Sequence, residues 1–409
     1  MIYWFFAIVI LMFSMLLATS ALYLAVLVLA AWLNPRRKDL FSVVPPRSQS
    51  PMSFIILIPA HDEKMMIAET IRRVNALNYP HDKFEVVVVA DNCDDDTAKI
   101  CRDSQCFILE RRDRQNPGKG QALNWAMTNH LTVWPRHFDA VLVLDADSFL
   151  SPNALWFFNQ SLQQGNKVAQ GYYTVSNPRE SWRTSLMTAA LALVHFARPL
   201  GRDQLGLPCG IKGNGFVINR RLVMDYGYPA SSNVEDLEVT LFYRLQGVKP
   251  AFVPGAQIYG HMTSHSDAAV KQRSRWEGGR ITMIRKWTGN LLKTTWQKRD
   301  VTCLDAVLEL CVPPFAILAG VTALSIVLTL AAATLRPTAI TLTAAGMSLS
   351  AGTLQSLYTM GGIKLINPEG CVWHRLLFAP LYIIWKLILY IKMFTRPSIR
   401  KQWERTDRH

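Results

Sequence analysis

The sequence predicts an α/β fold, with one domain built on a parallel, doubly wound sheet and flanked by transmembrane helices. Short apolar runs alternate with helical patterns between residues 51 and 265, which is typical of such a sheet. Uncharged segments that are long enough to cross a bilayer lie on both sides of this region. The excess positive charge lies beside those segments, as expected of a protein that contacts a membrane surface.

The first element is predicted to be a transmembrane helix at residues 1–33. This segment contains no charged residue and exceeds the roughly 20 residues that span a bilayer. A signal peptide would need a basic start and a shorter apolar run. Segment 34–50 follows with four Lys/Arg against one Asp, so the positive-inside rule predicts that the next domain is cytoplasmic.

The middle of the chain, residues 51–265, is predicted to be the catalytic domain. Phe54–Ile58, Phe84–Val89 and Ala140–Leu144 have the dense Val, Ile and Leu content of buried strands. Each is followed by a polar turn and a predicted helix, at 63–76, 95–104 and 152–163, and another helix is predicted at 119–131. Such alternation places a binding site at the carboxyl ends of the strands.

Polar side chains follow three of these strands, at the point where each strand ends. They are His61-Asp62-Glu63, Asp91 and Asp145-Ala-Asp147. Two carboxylates at positions i and i+2 can bind a divalent cation that holds substrate phosphates. A turn-forming origin is the alternative for an isolated Asp-x-Asp pair, but its place at the end of a buried strand favours the metal site.

Other candidate residues have both a structural and a functional interpretation. Glu235 and Asp236 open a predicted helix at 235–246, where they either cap the helix or supply a general base. Lys119 follows Pro117-Gly118 and suits a phosphate or a nucleobase, although the full Walker spacing is absent. Gly213-Asn-Gly215 permits close backbone approach to a ligand, or forms a turn.

Two further residue types bear on metal binding and redox state. His261 and His265 have the i, i+4 spacing of a zinc pair, but neither a Glu nor a third ligand accompanies them. The seven cysteines form no CxxC pair and are odd in number, which argues against a zinc-ligand set or a disulfide framework. A reduced, cytosol-facing domain is therefore expected.

Segment 266–300 is predicted to form basic interfacial helices that carry Gln272-Arg-Ser-Arg275-Trp276. Arg presents a bidentate fork to phosphate oxygens, and Trp presents a flat face to a sugar ring. A basic helix that only contacts anionic lipid is the alternative. Segment 271–299 has nine Lys/Arg against one Glu, and 392–409 has six against two acids, so the rest of the chain beyond 34–50 is close to neutral. This distribution of charge argues against nucleic acid as a binding partner.

The C-terminal part is predicted to return to the membrane. Residues 303–335 and 338–360 read as a transmembrane hairpin, kinked near Pro313-Pro314. Segment 372–394 contains Pro380, Lys386 and Lys392, and an interfacial helix is favoured because a crossing would put the basic tail, 395–409, outside. Three crossings are expected in total, in a bacterial-type inner membrane. Segment 181–200 is too short to span and is expected to pack in the core or at the interface.

The ordered motifs now resemble a known family. Pro59-Ala-His61-Asp-Glu63, Asp91, Lys119-Gly-Gln-Ala-Leu-Asn124, Asp145-Ala-Asp147, Glu235-Asp236 and Gln272-Arg-Ser-Arg275-Trp276 together resemble the membrane-bound, inverting family 2 glycosyltransferases with a QxxRW motif, such as cellulose, chitin and hyaluronan synthases. The resemblance covers roughly residues 50–290. It implies a GT-A fold, a nucleotide-diphosphate sugar donor, most often UDP-linked, and Mg²⁺ or Mn²⁺.

The resemblance also implies a role for each matched residue. Glu63 and Asp91 look like uridine contacts, with Lys119 beside the nucleotide sugar. Asp145 and Asp147 look like the ligands of the metal and the diphosphate, and His261 resembles a late histidine that reaches the metal. Asp236 looks like the general base, with Glu235 beside it. The QxxRW motif, with Gln272, Arg275 and Trp276, looks like the segment that covers the diphosphate and lines the path of the acceptor.

Two departures from the family pattern limit what is carried over. Ala90 stands where many relatives have another Asp, so a single uridine carboxylate is expected at Asp91. No PilZ-like domain is expected after the last helix, so control by a cyclic dinucleotide is not predicted.

Three functions remain open at this point. The first is transfer to a growing polysaccharide or lipid-linked saccharide, with a homo-oligomer or an export partner as a possibility. The second is a single transfer to a lipid of the ceramide or diacylglycerol type, which few membrane helices favour because a polymer needs a lined path. The third is a non-catalytic transporter or scaffold, which the scarcity of ionisable residues beyond Asp305 and Glu309 in the apolar helices disfavours.

Overall fold

The strands of the described chain form one sheet. The computed structural model describes residues 2–41, 50–262, 266–366 and 371–395, without the side chains at 2–3, 40–41, 266–277, 371 and 389–395. In this part the strands are β1 (Phe54–Ala60), β2 (Phe84–Asp91), β3 (Phe107–Arg111), β4 (Ala140–Val143), β5 (Ser148–Leu150), β6 (Val168–Val175), β7 (Phe216–Asn219) and β8 (Ala251–Gly260).

The sheet is mixed, with its parallel half where the sequence predicts it. The strand order is β3-β2-β1-β4-β7-β6-β8-β5. β1 pairs in parallel with both β2 and β4, and β2 pairs in parallel with β3. β7 runs antiparallel between β4 and β6, and β5 runs antiparallel to β8. The prediction of a doubly wound parallel sheet is therefore right for one half of the sheet and is corrected to a mixed sheet overall.

Helices cover both faces of this sheet. The α-helices of the described residues are α1 (Ile2–Leu33), α2 (Ile67–Asn75), α3 (Thr97–Arg102), α4 (Lys119–Asn129), α5 (Ala154–Gln163), α6 (Trp182–Leu191), α7 (Arg198–Gln204), α8 (Arg220–Tyr226), α9 (Glu235–Leu245), α10 (Ser266–Lys298), α11 (Val301–Cys311), α12 (Phe315–Leu335), α13 (Ala339–Ile366), α14 (Cys371–Arg375) and α15 (Ala379–Thr395). A π-helical turn, Ala192–Ala197, joins α6 to α7.

The core follows from the period of two along the strands. Ile56, Ile58 and Leu142 pack on one face with side chains of α2 and α5, whereas Leu57 and Val87 pack on the other with side chains of α4. Both sets are fully buried, so each parallel strand reads as a continuous apolar run, as expected for a sheet covered on two faces.

Two helices in the described chain are long and apolar enough to cross a membrane, judged by length and composition. They are Trp4–Leu33 in α1 and Phe315–Leu335, the whole of α12. α13 is long but less apolar, because it carries buried polar side chains such as Thr341, Ser348 and Gln355. The sequence-based expectation of three crossings is thus reduced to two candidates. The expected break at Pro313-Pro314 is present, since α11 ends at Cys311 and α12 begins at Phe315.

The apolar helices pack through small and polar side chains. The Ser348 hydroxyl on α13 donates to Ser14 on α1 (3.0 Å) and lies 2.9 Å from the Ser325 hydroxyl on α12. Gln355 donates to Thr322 (2.8 Å) farther along the same helices. These buried polar atoms therefore bond one another and hold α1, α12 and α13 together.

α11 packs with helices of the part of the chain that contains the sheet. It packs against α10 and α9 through Leu310, Cys303 and Ala306. Arg280 of α10 donates from one terminal nitrogen to the carbonyls of Glu309 (2.5 Å), Leu310 (3.1 Å) and Val312 (2.6 Å). These carbonyls have no partner within their own helix, so Arg280 caps the end of α11 from outside.

Candidate active site

The polar ends of the parallel strands meet at one edge of the sheet. His61 follows β1 and Asp91 ends β2, and the His61 ring nitrogen Nδ1 lies 2.7 Å from the Asp91 carbonyl oxygen. The turn after β4 is held nearby, because the Thr70 hydroxyl on α2 donates to the Ala146 carbonyl (2.7 Å). The structure therefore brings together the three strand ends that the sequence singles out.

Asp91 is buried and paired with an arginine that the sequence reasoning missed. Its side chain is 4% exposed, and Oδ1 accepts from the Arg111 guanidinium at 2.6 Å. Arg111 also donates to Asp113 (2.8 Å) and to the Asn116 carbonyl (2.8 Å). Arg111 ends β3, next to β2, so a charged residue closing the run Phe-Ile-Leu-Glu-Arg was the available signal.

Glu63 lies in the turn after β1, next to Asp62, whose backbone conformation is strained. Asp62 has a positive φ of 53° and its Oδ1 accepts the backbone N–H groups of Asp94 (2.7 Å) and Asp95 (3.1 Å). The Glu63 N–H donates to Thr97 (2.7 Å). The turns after β1 and β2 are thus bonded to each other, which fixes one wall of the crevice.

Asp145 and Asp147 sit in a turn clamped by a buried asparagine. The Asn214 Oδ1 accepts from the Asp145 backbone N–H (3.0 Å), and its Nδ2 donates to the Ser148 hydroxyl (2.8 Å). Asn214 is 1% exposed. The Asp147 carboxylate accepts from Ser148 (3.1 Å). Asn214 therefore holds both ends of the turn that carries the two carboxylates, whereas the sequence left its segment open between close approach to a ligand and a turn.

Lys119 links this turn to the loop before β7. Its ammonium group donates to the Asp145 carboxylate and to the Gly213 carbonyl. Burial lowers the pKa of Lys119, but the carboxylates of Asp145, Glu235 and Asp236 outweigh it and raise that pKa. A charged lysine thus stands between the acids after β4 and those that open α9.

Asp236 is one of those acids, and it is not the N-cap residue of α9, which is Val234 and makes no side-chain cap hydrogen bond. Glu238 holds the loop before the helix, since its Oε2 accepts the backbone N–H groups of Ser231 and Ser232 at 2.9 Å each. Asp236 accepts from the N–H of Leu237 (2.8 Å), and an ideal Cβ on Gly213 would stand 3.4 Å from its Oδ2. Glu235 packs beside Gly120 in α4. Asp236 therefore faces the loop that Lys119 contacts.

His261 lies at the same edge by strand register. Ser148 of β5 pairs with Gly260 of β8, and the two strands are antiparallel. Asp147, just before β5, and His261, just after β8, therefore leave the sheet side by side. His265 lies outside the described residues. Among the described residues, the possible metal ligands that lie three together, with their ligand atoms within 4.8 Å of one another, are different ones: Asp62, Cys93 and Asp95. Backbone N–H groups of the same turn already donate to carboxylate oxygens of Asp62 and Asp95.

The motif Gln272, Arg275 and Trp276 lies on the backbone of α10, and its side chains are outside the described part. The next turn of this helix touches the start of α9. An ideal Cβ on Gly279 would lie 2.5 Å from a Val234 methyl carbon, and Val234 directly precedes Glu235 and Asp236. α10 therefore crosses the crevice at the acids of α9.

The chain is similar in sequence to several known proteins. Residues 51–279 match the sequence model described as "Glycosyltransferase like family 2". The chain is 25% identical over 247 residues to the probable glycosyltransferase YdaM of Bacillus subtilis (58% of this chain, 57% of the relative). It is 28% identical over 251 residues to the beta-monoglucosyldiacylglycerol synthase of Trichormus variabilis (58% and 52%).

One further relative and one solved structure are also similar to the chain. The glucomannan 4-beta-mannosyltransferase 7 of Arabidopsis thaliana is 22% identical over 313 residues (70% of this chain, 55% of the relative). The mannosyltransferase PcManGT of Pyrobaculum calidifontis, solved with GDP-Man and Mn²⁺, superposes with a TM-score of 0.49 at 17% identity, covering 86% of this chain and 99% of that one. The chain spans about half the length of the curated relatives it matches.

Proposed function

Because the chain belongs to the glycosyltransferase-like family 2, we propose that it transfers a sugar from a nucleotide-diphosphate sugar to a hydroxyl group of a saccharide or lipid acceptor, with inversion. The observation that carries this proposal is the convergence on Lys119. Its ammonium group contacts Asp145, and the Gly213 it also contacts faces Asp236. In this proposal, the diphosphate site at Asp145 and the base Asp236 are both close to the same lysine.

Each residue has a chemical task in this proposal. Asp236 removes the proton of the acceptor hydroxyl as that oxygen attacks the anomeric carbon from the face opposite the diphosphate. Lys119 and the motif on α10 offset the charge that develops on the departing diphosphate. Asn214 holds the turn that carries Asp145 and Asp147.

The carboxylates of Asp145 and Asp147 fit a divalent cation such as Mg²⁺ or Mn²⁺. Hard oxygen ligands on one clamped turn suit these ions, and the register of β5 and β8 adds His261 at the same edge. A bound cation would supply charge neutralisation for the diphosphate. Lys119 contacts Asp145, so Asp147 is expected to be the principal ligand.

A transfer assay with two variants tests the proposal. Purified protein is incubated with radiolabelled nucleotide sugars and a membrane extract, and products are separated by size. Asp236→Asn should lower transfer by about a hundredfold or more while UDP still binds, because only the base is lost. Asp147→Ala should instead abolish Mn²⁺ binding and metal-dependent nucleotide binding, measured by calorimetry without acceptor.

Asp225→Asn is the matched control, since Asp225 is a surface acid on α8 whose contact with Arg221 spans 3.7 Å. It should leave both transfer and nucleotide binding unchanged. Full turnover by Asp236→Asn would remove that residue as the base, and absence of transfer from any donor by the unmodified protein would refute the proposal.

The pair of Asp91 and Arg111 supports a uridine donor. A carboxylate acceptor beside guanidinium donors complements the uracil edge, which presents an N–H next to a carbonyl oxygen. The family resemblance, which most often implies a UDP-linked donor, favours the same base. We therefore expect UDP, and not GDP, to compete with the donor.

Arg111→Met tests this choice of base. It should weaken UDP binding and destabilise the fold by about 3 kcal/mol, because Asp91 is left buried without its cation. Arg112→Met is the control, since the adjacent Arg112 is well exposed and makes a 3.4 Å contact with Asp94, worth less than about 1 kcal/mol. Stronger competition by GDP than by UDP would contradict the uridine assignment.

A single transfer to a lipid acceptor is the second candidate. The buried polar atoms of α1, α12 and α13 bond one another, as Ser348 does with Ser14 and Ser325. Together with two candidate membrane helices, this favours a lipid-linked acceptor over a polysaccharide path within one chain. Product size in the transfer assay separates a glycolipid of one added sugar from a polymer.

A further inference from the structure

A buried cluster of charged side chains joins α7, α9 and α11. Asp305 of α11 accepts at Oδ2 from Arg202 of α7 (2.5 Å) and from Arg244 of α9 (3.0 Å). Glu309, one turn farther along α11, lies 3.3 Å from Arg202 and 3.5 Å from Arg244. Arg202, Arg244 and Asp305 are 1%, 2% and 5% exposed. The two arginines thus share one buried acid, Asp305, and one partly exposed acid, Glu309.

Helix α1 enters the same cluster through one hydroxyl group. The Tyr23 hydroxyl donates to Asp305 Oδ1 (2.9 Å) and accepts from the Arg202 guanidinium. Both arginines also donate to the Pro208 carbonyl, at 3.3 Å from Arg202 and 3.2 Å from Arg244. The cluster therefore fixes the start of the loop that runs from Pro208 to Gly215, which we call the 208–215 loop.

The cluster reaches the reacting residues along two routes. Arg244 lies on α9, whose first turn carries Asp236. Glu309 lies 3.8 Å from the Lys212 ammonium group, and Lys212 precedes Gly213, whose carbonyl Lys119 contacts. Both elements that form the acceptor side of the crevice are thus bonded to α11.

The cluster is not built for stability alone. Among the described residues, the Nε atoms of Arg202 and Arg244 are buried without a hydrogen-bond partner, which leaves a desolvation cost uncompensated. Well-packed apolar side chains often replace buried ion pairs at no cost in stability. Burial raises the pKa of Glu309, but Arg202, Lys212 and Arg244 outweigh it and lower that pKa to about 2, so the acid stays ionised. Directional contacts between four elements are what such a cluster supplies and apolar packing does not.

We propose that Arg202, Arg244 and Asp305 are positioning residues for sugar transfer, which orient α9 and the 208–215 loop, and that Tyr23 makes α1 part of the same frame. This inference rests on the proposed function, because Asp236 and the loop matter through the transfer reaction. The donor side of the crevice, around Asp91 and Arg111, has its own bonds and does not depend on the cluster.

The test uses the full chain in detergent with Asp305→Asn and Tyr23→Phe. A displaced base lowers the rate of the chemical step, so kcat should fall by about tenfold to a hundredfold in Asp305→Asn and by less in Tyr23→Phe. The KM for the donor and the affinity for UDP should stay unchanged. Rates are expressed per folded molecule, measured by thermal unfolding of the same samples. If Asp305→Asn does not fold, Tyr23→Phe decides, since it removes one oxygen atom.

Ser348→Ala is the matched control, because it removes a buried hydroxyl that also bonds α1 but lies away from α9. It should lower the unfolding temperature as Tyr23→Phe does and leave kcat unchanged. Equal kcat in Tyr23→Phe and the unmodified protein, or an equal loss in Ser348→Ala, would overturn the positioning role. Failure of the unmodified protein to transfer any sugar would instead refute the proposed function.

Discussion

At Asp236, burial and charge act in opposite directions on the carboxyl group. Burial raises its pKa, whereas the N–H of Leu237 and the charges of Lys119 and Lys212 lower it, and the balance leaves the pKa above its usual range. The folded chain therefore binds this proton more tightly than the unfolded chain. Ionisation of Asp236 costs folding free energy as pH rises through the folded-state pKa. A base needs the ionised form, so transfer is lost as pH falls through the same pKa.

Lys212→Gln should move the acid limb of the rate profile to higher pH. The substitution removes one of the two cations that lower the pKa of Asp236, so the base takes up its proton at a higher pH. The measurement is kcat against pH at saturating donor.

Lys212→Arg keeps the positive charge and should keep the acid limb in place. If the pH of the acid limb in Lys212→Gln equals that of the unmodified protein, or is lower, the electrostatic role of Lys212 is contradicted.

Side chains that act alone at a strand end could be predicted from the sequence, whereas their partners could not. Asp91 and Asp145 are acids that directly follow apolar runs, and local pattern is enough to single them out. Arg111 contacts Asp91 from the neighbouring strand β3, and Asn214 contacts Asp145 although it lies 69 residues away along the chain. Such contacts depend on strand order and register, which no local pattern specifies.

Among the elements, the central parallel strands β1, β2 and β4 could be predicted, whereas β3 and the strands of the mixed half, β5 to β8, could not. β1, β2 and β4 are buried on both faces and carry continuous apolar runs. β6 and β8 interrupt that pattern with Gln170, Pro254 and Gly255, and β5 has three residues. Helix bounds agree within a few residues where the apolar spacing is clear, as at α5 and α9.

Gly279→Val should separate α10 from α9 and lower transfer. The new side chain would meet Val234 at 2.5 Å, so one helix must move where the base is carried. We expect kcat to fall by about tenfold or more. Transfer kinetics in detergent measure this, with far-ultraviolet circular dichroism to verify that the helices remain.

Gly289→Ala on the same helix is the control. An added Cβ there meets nothing within 4 Å, and the exchange improves helix propensity by about 1 kcal/mol. Transfer by this variant should equal that of the unmodified protein. Unimpaired transfer by Gly279→Val would show that the contact between α10 and α9 does not position the base.

For the whole molecule, the sequence predicts apolar helices on both sides of a catalytic domain but not how they attach to it. α1 packs along α13 and meets α7 so closely that an ideal Cβ on Gly201 would lie 1.9 Å from the Leu27 carbonyl oxygen. This close packing depends on the absence of a side chain at Gly201 and on the backbone of Leu27, which lies 174 residues earlier in the sequence. Length and hydropathy carry no information about such a contact.

Gly201→Ala should loosen α1 from the catalytic domain. A Cβ at this position cannot be placed without moving the α1 backbone, and overpacking of this kind costs about 1–3 kcal/mol. The unfolding temperature in detergent should fall, and kcat should fall with it because Tyr23 moves away from Asp305.

Gly346→Ala on α13 has open space around the added atom and should change neither quantity. A Gly201→Ala protein with the unfolding temperature and kcat of the unmodified chain would mean that α1 adapts without strain at this contact.

The cap that Arg280 places on α11 constrains how the crevice opens. One guanidinium group fastens α10 to the carbonyls of Glu309, in the last turn of α11, and of Val312, just after it. We therefore expect the two helices to move as one unit when donor and product exchange, with the turn at Arg299 between them unchanged. The corner at Pro313 and Pro314, between α11 and α12, is then expected to be the hinge of that motion.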